Sequence, residues 1–127
     1  MEITVEDFNK IEMRAGTVVH VEINKRARKP AYKVDIDFGN EIGIKSTSAQ
    51  ITDLYNEENL VGKQVICCVN LPAIHIGSVK SEVRILGTNS TQGCVLLQPS
   101  QKVENGDIVF RSEERRVGKE SRSQSAS

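Results

Sequence analysis

The sequence has no tryptophan and only five aromatic residues, Phe8, Tyr32, Phe38, Tyr55 and Phe110. A surface that works mainly by stacking bases on rings is excluded, and the core has to come from Val, Ile and Leu, which favours strands. Neither charge is in excess, because 17 basic and 17 acidic side chains cancel. Residues 111–127 carry 5 basic and 3 acidic groups, which leaves 12 against 14 in residues 1–110, a net of −2. Any nucleic-acid surface must therefore be a local patch. The three cysteines, Cys67, Cys68 and Cys94, include no C-x-x-C, and the two histidines, His20 and His75, stand far apart without ligand spacing. No metal site is expected, and the thiols read as reduced and buried, as in a cytoplasmic protein. No apolar run approaches the about 20 residues that span a bilayer, so no membrane insertion is expected, and the acidic N-terminus does not read as a signal peptide. There is no Ser/His/Asp or Cys/His set and no Gly-rich phosphate loop, so neither an enzyme nor a cofactor is expected.

What is present is a succession of short alternating runs and turns. Residues 4–11 read as a short helix capped by Thr4. Residues 13–23 alternate as a strand, with Ala15, Thr17, Val19 and Val21 on one face, Gly16, Val18 and His20 on the other, and a bulge or bend expected at Gly16. A dense basic loop follows at Lys25, Arg26, Arg28 and Lys29. Residues 32–38 alternate, with Tyr32, Val34, Ile36 and Phe38 inward and Lys33, Asp35 and Asp37 outward. Gly39-Asn40 reads as a hairpin turn into a strand over 41–45, with Ile42 and Ile44 inward and Lys45 outward. Residues 47–55 suggest a helical turn and 56–60 a second capped turn. Residues 64–71 form a strand apolar on both faces, and 83–86 and 94–97 are strands joined by a polar loop over 87–93. A final apolar segment spans 107–110, after the turn signal Asn105-Gly106.

Many short strands with one small helix between them predict an all-β fold: a five-stranded Greek-key OB-fold barrel with a short N-terminal helix and small helical turns. The domain is expected over residues 1–110. From Arg111 the chain turns Ser- and Arg-rich without periodicity, so 111–127 reads as a disordered tail foreign to the domain.

Several long stretches, in order, resemble one family. They are Met13-Arg14-Ala15-Gly16-Thr17-Val18-Val19, Ala27-Arg28-Lys29-Pro30-Ala31-Tyr32-Lys33, the stretch 37–51 from Asp37-Phe38-Gly39, Asn70-Leu71-Pro72 through Lys80-Ser81-Glu82-Val83, and Val95-Leu96-Leu97-Gln98-Pro99. Together they cover roughly residues 5–109. The chain resembles the CsaA-type chaperones, free-standing relatives of the tRNA-binding domain appended to some methionyl-tRNA synthetases. The resemblance implies an OB-fold with segments at both chain ends forming a homodimer. It also implies tRNA binding by shape rather than sequence, a role in binding unfolded or exported (secretory) polypeptides, and no catalysis. Relatives often have Pro-Pro-Arg where this chain has Pro72-Ala73-Ile74. If that arginine contacts phosphate, its absence weakens binding, and His75 substitutes only in part because it is mostly neutral near pH 7.

An RNA surface needs cations for phosphates and polar groups for sugars and base edges. The candidates are Lys33, Lys45, Lys80 and Arg84 as cations, with Ser46, Ser48, Asn70, His75, Ser81 and Glu82 beside them, and Lys25, Arg26, Arg28 and Lys29 as a steering loop. Alternatives stay open at several positions: Glu82 as a partner of Arg84 or Lys80, and Asn70 as a loop-capping amide. A peptide surface needs exposed apolar groups, and Leu71, Ile74 and Ile76 are the candidates. The function expected is a tRNA-binding homodimer that also acts on polypeptides. The alternative is an export chaperone without physiological RNA binding.

Overall fold

The longest strand, β1 (Met13–Ile23), organises the sheet because it pairs on both edges. The structure, a computed structural model, describes residues 1–114. Before β1 lies α1 (Val5–Asn9), and after it come β2 (Tyr32–Asp37), β3 (Ile44–Ala49), α2 (Glu57–Leu60) and β4 (Gln64–Cys68). These are followed by β5 (Ile74–Ile76), β6 (Val79–Ser81), β7 (Arg84–Ile85), β8 (Gly87–Ser90) and β9 (Gly93–Leu96). One antiparallel five-stranded sheet runs β3-β2-β1-β4-β7, with β5–β6 and β8–β9 as separate hairpins. The sheet curls into a nearly closed barrel, consistent with an OB-fold. The two ends of the sheet meet where Glu82 N donates to Ser46 O (2.8 Å), so β3 is not left as an open edge.

The barrel interior holds Val18, Val21, Val34, Ile36, Phe38, Val65, Cys67 and Val83, with Leu60 of α2 and Leu96 of β9 joining them. Gly16 belongs to this interior for a steric reason. A Cβ there would lie 2.6 Å from Ile36 Cγ2 and 2.8 Å from Phe38 Cδ1. The expected bulge is real but lies three residues further on. The β1–β2 register shifts between Val18 and His20, which leaves Val19 as the extra residue. Val18 and Val21 are therefore both buried, while Val19 is 42% exposed, which overturns the simple alternation expected through it.

The hairpin after β2 also differs from expectation. Gly39 (φ +91°) and Gly43 (φ +86°) both take left-handed backbone that glycine tolerates best. Phe38 N donates to Gly43 O and Gly43 N to Gly39 O, so residues 38–43 form the turn and β3 starts only at Ile44. This reverses the predicted facing. Lys45, Thr47 and Ala49 stand opposite the inward Ile36, Val34 and Tyr32, whereas Ile44 stands opposite Asp37 and is 61% exposed. Lys45 is thus on the inward side of its strand, not the outward one.

The predicted loop over 87–93 is instead a hairpin, in which Gly87–Ser90 pairs residue by residue with β9. Its polar residues are exposed on both faces, so no alternation betrayed it. The capped helical starts fit better. Thr4 Oγ1 accepts from Asp7 N, and Asn56 and Asn59 cap each other reciprocally. At its N-terminal half β1 gains a further edge partner, since Ala15 N donates to Asp107 O and Val109 N to Met13 O. Ser112–Glu114 form one 3-10 turn, closed by Arg111 against Glu113 and Glu114, and the rest of the expected tail, 115–127, lies outside the described residues.

Candidate nucleic-acid interface

The seam that closes the barrel also carries the polar cluster expected from the sequence. β3 supplies Ser46 and Ser48, and the facing chain supplies Ser81 and Glu82. Ser46 N donates to Glu82 Oε1 (3.0 Å), and Ser48 N donates to Ser81 Oγ (2.9 Å). Side-chain oxygens thus take the place of backbone carbonyls in this stretch of the ladder. Ser46 Oγ donates to Asp35 Oδ1 (2.6 Å), and Lys45 Nζ lies 4.0 Å from Glu82 Oε2. Glu82 is therefore bound to Ser46 and Lys45, not to Arg84 or Lys80. Ser81 is fully buried, so its hydroxyl belongs to the barrel wall and cannot face a ligand; its expected place on the RNA surface is corrected accordingly.

Above this seam lies a shallow concavity of about 340 Å³, lined by Glu22, Ile23, Asn24, Lys33, Ser46, Ser78, Val79, Lys80 and Glu82. Lys33 reaches it from β2, between its cross-strand neighbours Glu22 and Ser48. Lys80 reaches it from β6, opposite His75 on β5. A hydrogen bond from His20 (2.8 Å) holds the Glu22 carboxyl below its ordinary range against a small effect of burial, and Lys33 reinforces the shift. The basic loop adjoins this concavity. Asn24, 5% exposed, anchors the loop by donating from Nδ2 to Ser48 Oγ (3.0 Å) and to Ile76 O (2.8 Å). Gly77, at φ +63°, lets the β5–β6 turn press against the loop, where a Cβ would lie 2.8 Å from the Arg26 carbonyl carbon.

The lysines Lys33 and Lys80 are balanced by Glu22 and Glu82 within the concavity itself. The adjoining loop adds Lys25, Arg26, Arg28 and Lys29, all exposed, which tips this end of the barrel to a net of four positive charges (six minus two). None of the six cations has a carboxylate oxygen of a described residue within 4.0 Å. A chain of phosphates placed here would meet six cations that make no ion pair, with the carboxylates of Glu22 and Glu82 between Lys33 and Lys80.

The sequence matches the family described as "Putative tRNA binding domain" over residues 13–108. The chain belongs to that family. Among solved structures, this tRNA-binding-domain protein is similar to the CsaA chaperone of Bacillus anthracis str. Ames, at 43% identity over 87% of this chain and 100% of that one, with a TM-score of 0.81. It is similar to the CsaA chaperone of Picrophilus torridus, also 43% identical, over 86% of this chain and 100% of that one, with a TM-score of 0.82. The methionine–tRNA ligase of Methanococcoides burtonii is 32% identical over 84% of this chain, but the chain spans only 16% of that protein.

Two further candidates of this tRNA-binding-domain protein lie away from the concavity. Asn70 accepts from Glu12 N (3.0 Å) and donates to Lys10 O (2.6 Å), so it caps the linker ahead of β1, as one sequence alternative had it. Arg84 donates to Pro72 O (2.7 Å) and Ser81 O (3.2 Å) and braces the loop between β4 and β5. Leu71 and Ile74 are 48% and 46% exposed, and Ile76 is half-buried. Sequence reasoning missed Glu22, Asn24 and Ser78. Asn24 at the head of the basic run was the available signal, since an amide at a strand end commonly ties down the loop that follows.

The seam makes a direct prediction. Glu82→Ala leaves Ser46 N without its acceptor and is expected to lower the unfolding free energy by about 1–2 kcal/mol. Glu82→Gln, whose amide oxygen can still accept, should lose less than half of that. Urea midpoints of the three proteins check it.

Proposed function

We propose that this protein binds tRNA by charge and shape across the concavity of Lys33 and Lys80 and the adjoining basic loop. One observation carries the reading: a chain of the tRNA-binding domain family gathers six cations that make no ion pair around one end of the barrel, with Lys33 and Lys80 on opposite sides of the closing seam. Aromatic stacking contributes little. Phe38 is buried, and the hydroxyls of Tyr32 and Tyr55 are engaged within the fold, with Tyr32 donating to Tyr55 O and Tyr55 accepting from Leu96 N. Recognition through phosphates and shape is what remains. Lys45, Ser46, Ser48 and Glu82 set the geometry of the seam beneath the RNA, and His75 flanks Lys80.

In the same reading the protein acts as a homodimer that binds unfolded or exported polypeptides in the cytoplasm. Exposed apolar side chains at the two chain ends support pairing: Ile3, Val5 and Ile11 on one side, Ile108, Val109 and Phe110 on the other. The bond from Val109 N to Met13 O brings the ends together. Leu71 and Ile74 offer apolar surface to a polypeptide. Free Cys67, Cys68 and Cys94 fit a reducing compartment, and no helix among the described residues is long and apolar enough to cross a membrane. The likeness to the CsaA chaperones supports the polypeptide-binding role.

A gel-shift titration with total tRNA over a range of salt concentrations tests the RNA reading. Lys33→Ala with Lys80→Ala is expected to weaken binding and to make the dependence of log K on log salt shallower by about one per lysine removed. Unchanged affinity and slope in the double variant would refute the placement.

A further inference from the structure

Binding of phosphates alone leaves two features of the seam concavity without a use. The first is its pair of carboxylates. Glu22 and Glu82 share the lining with Lys33 and Lys80, and each repels a phosphate brought to those lysines. The Glu22 carboxyl, held below its ordinary range by His20, is ionised at neutral pH. His20 engages Glu22 Oε1 (2.8 Å), and Ser46 N donates to Glu82 Oε1 (3.0 Å), but the Oε2 of each accepts no hydrogen bond from a described residue. Asn24, 5% exposed, is also part of the lining, and its Oδ1 has no hydrogen-bond partner. The lining therefore has acceptors in excess. The second feature is Ile23, an aliphatic side chain 61% exposed in the same concavity.

What fits this lining is a flat group with donors on its edge. Phosphates offer RNA-binding surfaces only acceptors, so the donors of an RNA must come from base edges or 2′-hydroxyls. Guanine alone among the four bases sets two donors side by side, N1–H and N2–H, on its Watson–Crick edge. Adenine, cytosine and uracil each place an acceptor next to the donor, and a carboxylate repels it. That edge is free only where the base is unpaired. We propose that the concavity takes one unpaired guanine of the bound RNA, its N1–H and N2–H donating to the free oxygens of Glu22 and Glu82 and its ring lying on Ile23. The phosphates on either side of that base then fall to Lys33 and Lys80. The inference rests on the tRNA-binding reading and adds a base preference to it. Ile23 takes the part that an aromatic ring plays where base stacking dominates.

Competition against labelled total tRNA tests this, using three short uridine-rich RNA strands that differ only in carrying guanosine, inosine or adenosine at the centre. Inosine keeps N1–H and lacks the 2-amino group. The guanosine strand is expected to compete about fivefold or more better than the adenosine strand, with inosine between them. Glu22→Gln removes a negative charge as well as an anionic acceptor. It is expected to strengthen the adenosine strand, weaken the guanosine strand and so abolish the preference. A role for Glu22 through charge alone would shift all three strands alike and overturn its place in the site. Equal competition by the three strands, or none by any, overturns the guanine site while the tRNA reading stands. Failure of the labelled tRNA itself to bind overturns both.

Discussion

Gly16→Val is expected to unfold at a much lower urea concentration than the parent, with a loss of about 3 kcal/mol or more. The usual expectation for glycine in a strand runs the other way, because adding a side chain reduces the freedom of the unfolded chain and gains about 0.4–1 kcal/mol where the backbone allows it. Nothing in the backbone forbids a side chain at Gly16, whose φ is not in the left-handed region. The obstacle is packing. The added atom would stand well inside contact distance of Ile36 and Phe38, both essentially without exposed surface. Those two side chains sit at the centre of the barrel wall and cannot retreat without opening the interior. Forcing extra carbon into such a core costs about 1–3 kcal/mol and sometimes more. Gly16→Ala should show the same sign with a smaller loss. A stabilised Gly16→Ala protein would show that the barrel does not close as tightly at this point as described.

The second large effect is a loss of stability in alkali. Burial pushes the Cys67 thiol up from 9.0 to about 12, with neighbouring Cys68 adding to the shift. In the unfolded chain the thiol loses its proton near pH 9, while in the barrel it keeps it until about pH 12. Across that window the folded state binds more protons than the unfolded one, so stability falls as pH rises and is unaffected below pH 9. A difference of three pH units corresponds to about 4 kcal/mol if fully expressed. Chemical unfolding of the parent and of Cys67→Val between pH 8 and 11 isolates the effect, because every other side chain is common to both proteins. The parent curve should fall more steeply, and parallel curves would show that Cys67 ionises freely in the folded protein.

Much of the barrel was legible in the sequence. The alternation of residues 32–38 placed Val34, Ile36 and Phe38 in the core, where they are. Thr4 and Asn56 announced their helical turns, because capping is a local interaction between a side chain and backbone three residues away. The errors share a cause. The facing of Lys45 depended on whether Gly43 belonged to the turn or the strand, and only the bond from Phe38 N to Gly43 O settles that. The bulge at Val19 and the polar strand Gly87–Ser90 are likewise fixed by partners distant in sequence.

The candidate site divides the same way. Lys33, Lys80 and the basic loop could be picked out as cations from the sequence, and they meet around one concavity. Ser81, Asn70 and Arg84 were chosen for the same polar character, but the fold uses their hydrogen-bonding groups internally. A side chain's capacity to donate or accept is written in its identity, whereas the group that satisfies it is chosen by packing. By itself the sequence determined the strand-rich class, the aliphatic core and the stock of cations. The tertiary structure alone decided which polar groups close the seam and which remain free for a ligand, because closing the sheet sets residues such as Ser46 and Glu82, 36 positions apart, within hydrogen-bond reach.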